Sequence, residues 1–155
     1  MAILCGEMGD RDRQEKFYRE AIAVAPNWGG PWFNLALLLR ERRRLDEAAR
    51  AADEAIRIEE SAPFYVLRAL IAESQSDAET RTVMLAEAGS RFNPVKSLTD
   101  WELGWYVTMT RMLDDEERAE TAEEERRRRA QAKNVAPEVL GDLPDIGANL
   151  DSRRA

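Results

Sequence analysis

Any chemistry in this chain must come from carboxylates, arginines and a single thiol, because its 155 residues include one cysteine and no histidine. The missing histidine removes the commonest general base and metal ligand, and with it the Ser-His-Asp and Cys-His arrangements of nucleophilic catalysis. Cys5 stands in an apolar run without a cationic activator, so it reads as a small hydrophobe and not as a nucleophile. Four carboxylates gather at Asp114, Asp115, Glu116 and Glu117. They lack the spaced oxygen ligands and central glycine of a calcium loop, and acids in succession suit a helix N-terminus. No acid, base and nucleophile can be assembled into one site. The chain reads as non-catalytic, with no cofactor and no metal.

Charge narrows the partners. The formal net charge is −7 and the isoelectric point about 4.8, whereas a nucleic-acid groove needs distributed basic surface. The arginines are concentrated in "RERRR" at Arg40 to Arg44 and in "EEERRRR" at Glu123 to Arg129. Glu123, Glu124 and Glu125 each stand four residues before Arg127, Arg128 and Arg129, the favourable orientation, at roughly 0.3 kcal/mol per pair. That describes a solvated helix stapled by its own charges, with a basic docking patch as the alternative. "RERRR" reads as a wet turn between helices, with Arg40 able to lean into a groove. No apolar run reaches the roughly 18 to 20 residues that span a bilayer, and "MAILCGEMGD" lacks the cationic start and apolar core of a secretory signal. A lone cysteine fits a reducing compartment, so the expected location is cytoplasmic.

The elements that would position such residues are helices. Apolar residues make up 44% of the chain and charged residues 34%, and no segment alternates in the manner of a strand. In "PNWGGPWFNLALLLRERRRLDEAARAADEAI", residues 26–56, Trp32, Leu35, Ala36 and Leu39 fall on one helical face. After a charged interruption, Ala48, Ala52 and Ala55 recur at helical spacing. Large residues facing small ones let two helices interlock closely, and so short a turn permits only an antiparallel hairpin.

These residues resemble the tetratricopeptide repeat, whose pattern runs W-x2-L-G-x2-Y, then A-x3-F, A and P over about 34 residues. The preceding "GDRDRQEKFYREAIAVAP" resembles the second half of another unit, with Gly9 and Asp10 at its turn, Tyr18 and Ala21 in its helix and Pro26 closing it. A third unit places Tyr65, Ala69 and Ala88 one repeat beyond Trp32, Ala36 and Ala55, ending at Pro94. A fourth offers Trp101, Leu103, Gly104 and Ala119. The resemblance implies an all-α, right-handed solenoid of antiparallel helix hairpins over 1–132, in units of about 1–28, 29–61, 62–97 and 98–132. A turn at Gly9 would put Met1 midway along a helix, implying a longer array or an upstream start; an irregular terminal cap is the alternative. The proline- and glycine-bearing tail, 133–155, is expected to leave the helical stack. It either frays or lays Val139, Leu140, Leu143 and Ile146 along the domain's own groove.

In this family the concave wall of first helices recognises partners, so the resemblance implies a protein or peptide ligand. "PWFNLALLL" is apolar nearly all round, which leaves Phe33 and Leu37 to point into the groove, continued by Leu70, Trp101 and Trp105. The plainer reading is that they pack against neighbouring helices. Asn34, Arg40 and Arg68 are the polar members. Where such domains hold the acidic C-terminal tails of heat-shock chaperones, asparagines and basic side chains grip a carboxylate, and Asn34 and Arg68 resemble part of that clamp. The other expected partners are a second copy of the chain, through the incomplete first unit, and neither nucleic acid nor membrane.

Overall fold

The computed structural model describes residues 2–139, with side chains from Asp10 to Lys133. Seven α-helices follow one another: α1 (Ala2–Val24), α2 (Gly29–Glu41), α3 (Leu45–Ile58), α4 (Ala62–Ser74), α5 (Ala78–Arg91), α6 (Asp100–Met112) and α7 (Glu116–Val139). Among the described residues a single 3-10 turn, Val95–Ser97, precedes α6, and no helix is long and apolar enough to cross a membrane. Lengths recur. Helices α2, α4 and α6 each have 13 residues, and α3 and α5 each have 14.

The hairpins share one turn. Arg43, Ser76 and Asp114 are the described non-glycine residues with positive φ, at 61°, 61° and 56°, and each lies between the two helices of a pair. Around them the same two bonds form: Arg43 N–H to Arg40 O at 3.0 Å with Arg44 N–H to Leu39 O at 2.9 Å, then Ser76 to Glu73 at 3.0 Å with Asp77 to Ala72 at 2.9 Å, then Asp114 to Arg111 at 3.1 Å with Asp115 to Thr110 at 2.9 Å. This is the Schellman closure, which satisfies the last carbonyls of one helix and normally favours glycine at the left-handed residue. A side chain there costs roughly 1 kcal/mol, so Ser76→Gly is expected to stabilise the fold by about that much, or ~2–4 °C in melting temperature. A thermal melt showing no gain would mean that the Ser76 side chain offsets its own strain.

Packing follows the alternation of large and small. Leu35, Ala36 and Leu39 are buried against a seam of Ala48, Ala52 and Ala55, and one hairpin later Tyr65, Ala69 and Ala88 are buried too. In the third hairpin the register differs from the sequence expectation. Leu103, and not Trp101, precedes its left-handed turn residue by the interval that Trp32 and Tyr65 precede theirs, and Leu103 is fully buried. That shift frees both tryptophans of α6 for another face.

Both ends depart from expectation as well. Helix α1 runs unbroken through Gly9 and Asp10, so the expected turn is absent, and with it the ground for placing Met1 midway along a first helix. Glycine inside a helix costs only about 1 kcal/mol, so the ladder can run through Gly9. Helix α7 continues past Lys133 to Val139, through Pro137, whereas the sequence reading ended the helix at 132. Pro137 lacks the N–H that would bond four residues back, yet the ladder resumes beyond it. Upstream, α7 is anchored by Arg129, whose Nε donates to Glu125 Oε1 at 2.8 Å and whose Nη2 donates to Lys96 O at 2.9 Å in the α5–α6 linker. Arg127 reaches Glu123 at 3.4 Å on the surface. One arginine of "EEERRRR" is therefore a structural clamp. The side chains of Cys5 and Val139, with all of Leu140, Leu143 and Ile146, lie outside the described residues.

Candidate functional site

Because each hairpin is antiparallel, α2, α4 and α6 run parallel and begin at the same end of the bundle. Near that end each contributes aromatic side chains to one cluster. Phe33 stacks on Phe64, with centroids 4.9 Å apart and planes at 25°. Trp101 and Trp105 meet Phe33 edge-on at 5.7 and 5.3 Å, and each other at 6.4 Å. Offset-stacked and edge-to-face contacts suit the ring quadrupoles. The cluster is graded in exposure. Phe33 is 5% exposed and Phe64 is buried, Trp105 is half-buried, and Trp101 is 50% exposed. Phe33 is therefore the floor of this face and not its wall. The surplus hydrophobicity of α2 has a core explanation, since one side of the helix meets α3 and another meets α4 and the tryptophans of α6. Leu37 and Leu70 are half-buried, and Leu37 and Trp105 pack on the same core cluster.

The polar candidates differ in their surroundings. Asn34 is exposed on α2, and Arg40 is partly buried with its Nε unpartnered. Arg68 Nε donates to Asp53 Oδ1 of α3 at 2.8 Å, with its side chain only 14% exposed. An aspartate of its own chain thus engages one nitrogen of this guanidinium, while its Nη1 is buried without a hydrogen-bond partner. At the third hairpin Asp115 accepts a bond from Arg118 N–H at 3.2 Å and caps α7, while Asp114 takes the left-handed position. Among the described residues no group of three or more carboxylates or thiols could hold a metal ion.

Two features escaped sequence reasoning. Phe64 underlies the aromatic cluster although "SAPFYV" gave it no special place. The other is an ionic network on Glu15, a carboxylate only 12% exposed. It accepts from Arg42 Nη1 at 2.6 Å, Arg44 Nη1 at 2.8 Å and Arg19 Nη2 at 2.9 Å, while Arg44 Nη2 also grips Glu47 at 2.6 Å. Burial pushes the Glu15 carboxyl up, but bonds from Arg19 and Arg44 and their positive charges outweigh it, so its pKa is lowered. "RERRR" is thus a staple between α1 and the α2–α3 turn. Beside it, α1 and α3 flank a hollow of about 480 Å³ with Trp32, Leu35 and Leu39 as floor and Arg19, Arg50 and Asp53 on its rim. The outer side of α1 leaves Phe17 and Val24 65% and 86% exposed.

Comparison with protein-family models finds none that matches this chain, and comparison with curated proteins likewise finds no match.

Proposed function

We propose that this chain is a tetratricopeptide-like, right-handed helical solenoid that acts without catalysis as a protein-interaction module in the cytoplasm. Its partner is a peptide or protein segment laid across the face formed by α2, α4 and α6. The observation that carries this reading is the aromatic cluster, in which half-exposed Trp101 and half-buried Trp105 stand over a buried floor of Phe33 and Phe64. A large aromatic held rigidly by its neighbours and open on one side is the usual anchor of an interface, because it buries area at small entropic cost. The repeated helix lengths and hairpin turns support the solenoid. The net charge of −7 argues against nucleic acid, and the absence of histidine against an enzyme.

The test is capture of a partner from lysate of the source cell by wild type and by Trp101→Glu, after circular dichroism shows equal helicity. A hot-spot tryptophan contributes about 2 kcal/mol or more, so the variant should bind at least ~30-fold more weakly. Trp101 is the choice because a charge at Phe33 would enter the core and unfold the protein. Equal recovery would sink this reading and move attention to Phe17 and Val24 on α1, where a second copy of the chain is the alternative occupant.

A further inference from the structure

The end of the molecule at which α2, α4 and α6 begin carries charge as well as aromatic rings. Helices α3 and α5, the second members of their hairpins, finish at that same end. Positive helix starts and negative helix finishes offset each other there, so side chains set the local potential. Those beside the aromatic cluster are acidic. A Cβ on Gly29, at the start of α2, would meet Glu59 Oε2 at 3.4 Å and the Phe64 ring at 2.9 Å. Asp100 and Glu102 flank Trp101 in the first turn of α6.

Two of these carboxylates keep their charge uncompensated. Glu54 and Glu60 are taken by Arg57 and Arg91, whereas exposed Glu59 has no ion-pair partner among the described residues. Glu102 Oε2 accepts from the Thr99 N–H at 2.8 Å and the Thr99 hydroxyl at 2.7 Å, both neutral donors. Asp100 shows what this rim attracts, since it draws Lys133, a side chain 71% exposed, and Arg129 at 3.5 Å. The rings are open to a cation too. Among the described residues the one cation over a ring is Arg91, 4.3 Å from the centroid of Tyr65, and none covers Phe33, Phe64, Trp101 or Trp105. A half-exposed indole beside carboxylates attracts a cation through its quadrupole and through their charge. A guanidinium can lie flat on the indole while its N–H groups reach a carboxylate.

We propose that the aromatic face takes a basic segment of a partner protein, with an arginine or lysine side chain on Trp101 and the carboxylates of Glu59 and Glu102 beside it. This rests on the reading of that face as a recognition surface. It gives the partner the opposite charge to the acidic tails that Asn34 and Arg68 would suit, and the net charge of −7 favours the encounter.

The experiment measures fluorescence anisotropy of a labelled peptide alternating arginine and serine with the full chain, with a glutamate–serine peptide as the second probe. The arginine peptide is expected to bind, more weakly as salt rises, and the glutamate peptide not to bind. Glu59→Gln/Glu102→Gln and, separately, Trp101→Leu should each weaken binding ~5-fold or more. Glutamine at position 102 preserves the capping box with Thr99, and circular dichroism checks the helicity of each variant. If Trp101→Leu loses helicity, the carboxylate pair decides alone. Glu120→Gln/Glu124→Gln removes the same charge from exposed positions of α7 and should change binding about twofold or less, which isolates the general attraction of an acidic protein. No binding of the arginine peptide, equal loss from the α7 pair, or full binding by a folded Trp101→Leu overturns the basic segment. If the arginine peptide fails while Trp101→Glu loses its captured partner, the recognition reading stands and the basic class falls. If the arginine peptide depends on Trp101 while Trp101→Glu captures partners equally, the cation site stands and the recognition reading fails.

Discussion

Replacing Phe33 by alanine is expected to cost about 3–5 kcal/mol of folding stability, the range for deleting a fully buried aromatic side chain. Three aromatic partners from two other helices lose their contact at once: Phe64 at 4.9 Å, Trp105 at 5.3 Å and Trp101 at 5.7 Å. The void would open where α2, α4 and α6 converge. The tryptophans, on a helix from another hairpin, can collapse into it only by leaving the positions that their own helix sets. At this chain length the loss corresponds to a fall of roughly 6–20 °C in melting temperature. Urea unfolding of wild type, Phe33→Ala and Phe33→Leu is the check, with the leucine variant keeping part of the volume and falling between. A cost under about 1 kcal/mol for the alanine variant would mean that the cluster adapts freely, contrary to close packing.

The hairpins were legible because two local signals agreed. Alanines at helical spacing marked the helix that must lie close, and a short polar interruption marked the reversal, so Ala48, Ala52 and Ala55 are buried where the spacing puts them. The third hairpin misled for a related reason. Trp101 resembles the signature tryptophan, yet the packed position is set by distance from the turn, and Leu103 holds it. Side-chain type is a weaker guide to register than backbone geometry. Gly9 misled in the opposite way: a glycine beside an aspartate reads as a turn, but the helical ladder continues through it at modest cost.

The site was legible only as a set of residue types. Apolarity all round α2 says that the helix is covered on more than one side, without saying whether a partner or its own chain covers it. Phe33 proves to be covered by α4 and α6, contacts that join residues more than thirty and nearly seventy positions apart in sequence. No local periodicity carries that information. The same holds for Arg68, whose partner Asp53 lies on a preceding helix, and for Glu15, which looks like one surface acid among many until the α2–α3 turn is laid over it.

Glu15→Gln should therefore have an effect out of proportion to its place on a surface helix. Three guanidinium groups converge on this carboxylate, and charge-assisted hydrogen bonds contribute about 1.5–3 kcal/mol where the partners are partly desolvated, so a loss in that range is expected at pH 7. Glutamine keeps the shape but not the charge. It leaves Arg19, Arg42 and Arg44 to repel one another, with Asp12 at 2.6 Å from Arg42 and Glu47 at 2.6 Å from Arg44 and 3.6 Å from Arg19 as the remaining counter-charges. The dependence on pH has a fixed sign. Because the Glu15 pKa is lowered on folding, its contribution is complete above the pKa of the unfolded chain, about 4.3, and disappears as pH falls through the lower folded value. The gap in stability between wild type and Glu15→Gln should then be widest near neutrality and close progressively below about pH 4. Urea titrations of both proteins at several pH values measure that gap directly. A difference that stays constant down to strongly acidic pH would show that the charge of Glu15 is not what stabilises the fold, and the staple between α1 and the first hairpin would have to lie in the apolar contacts of Tyr18 and Ile22 with the core instead.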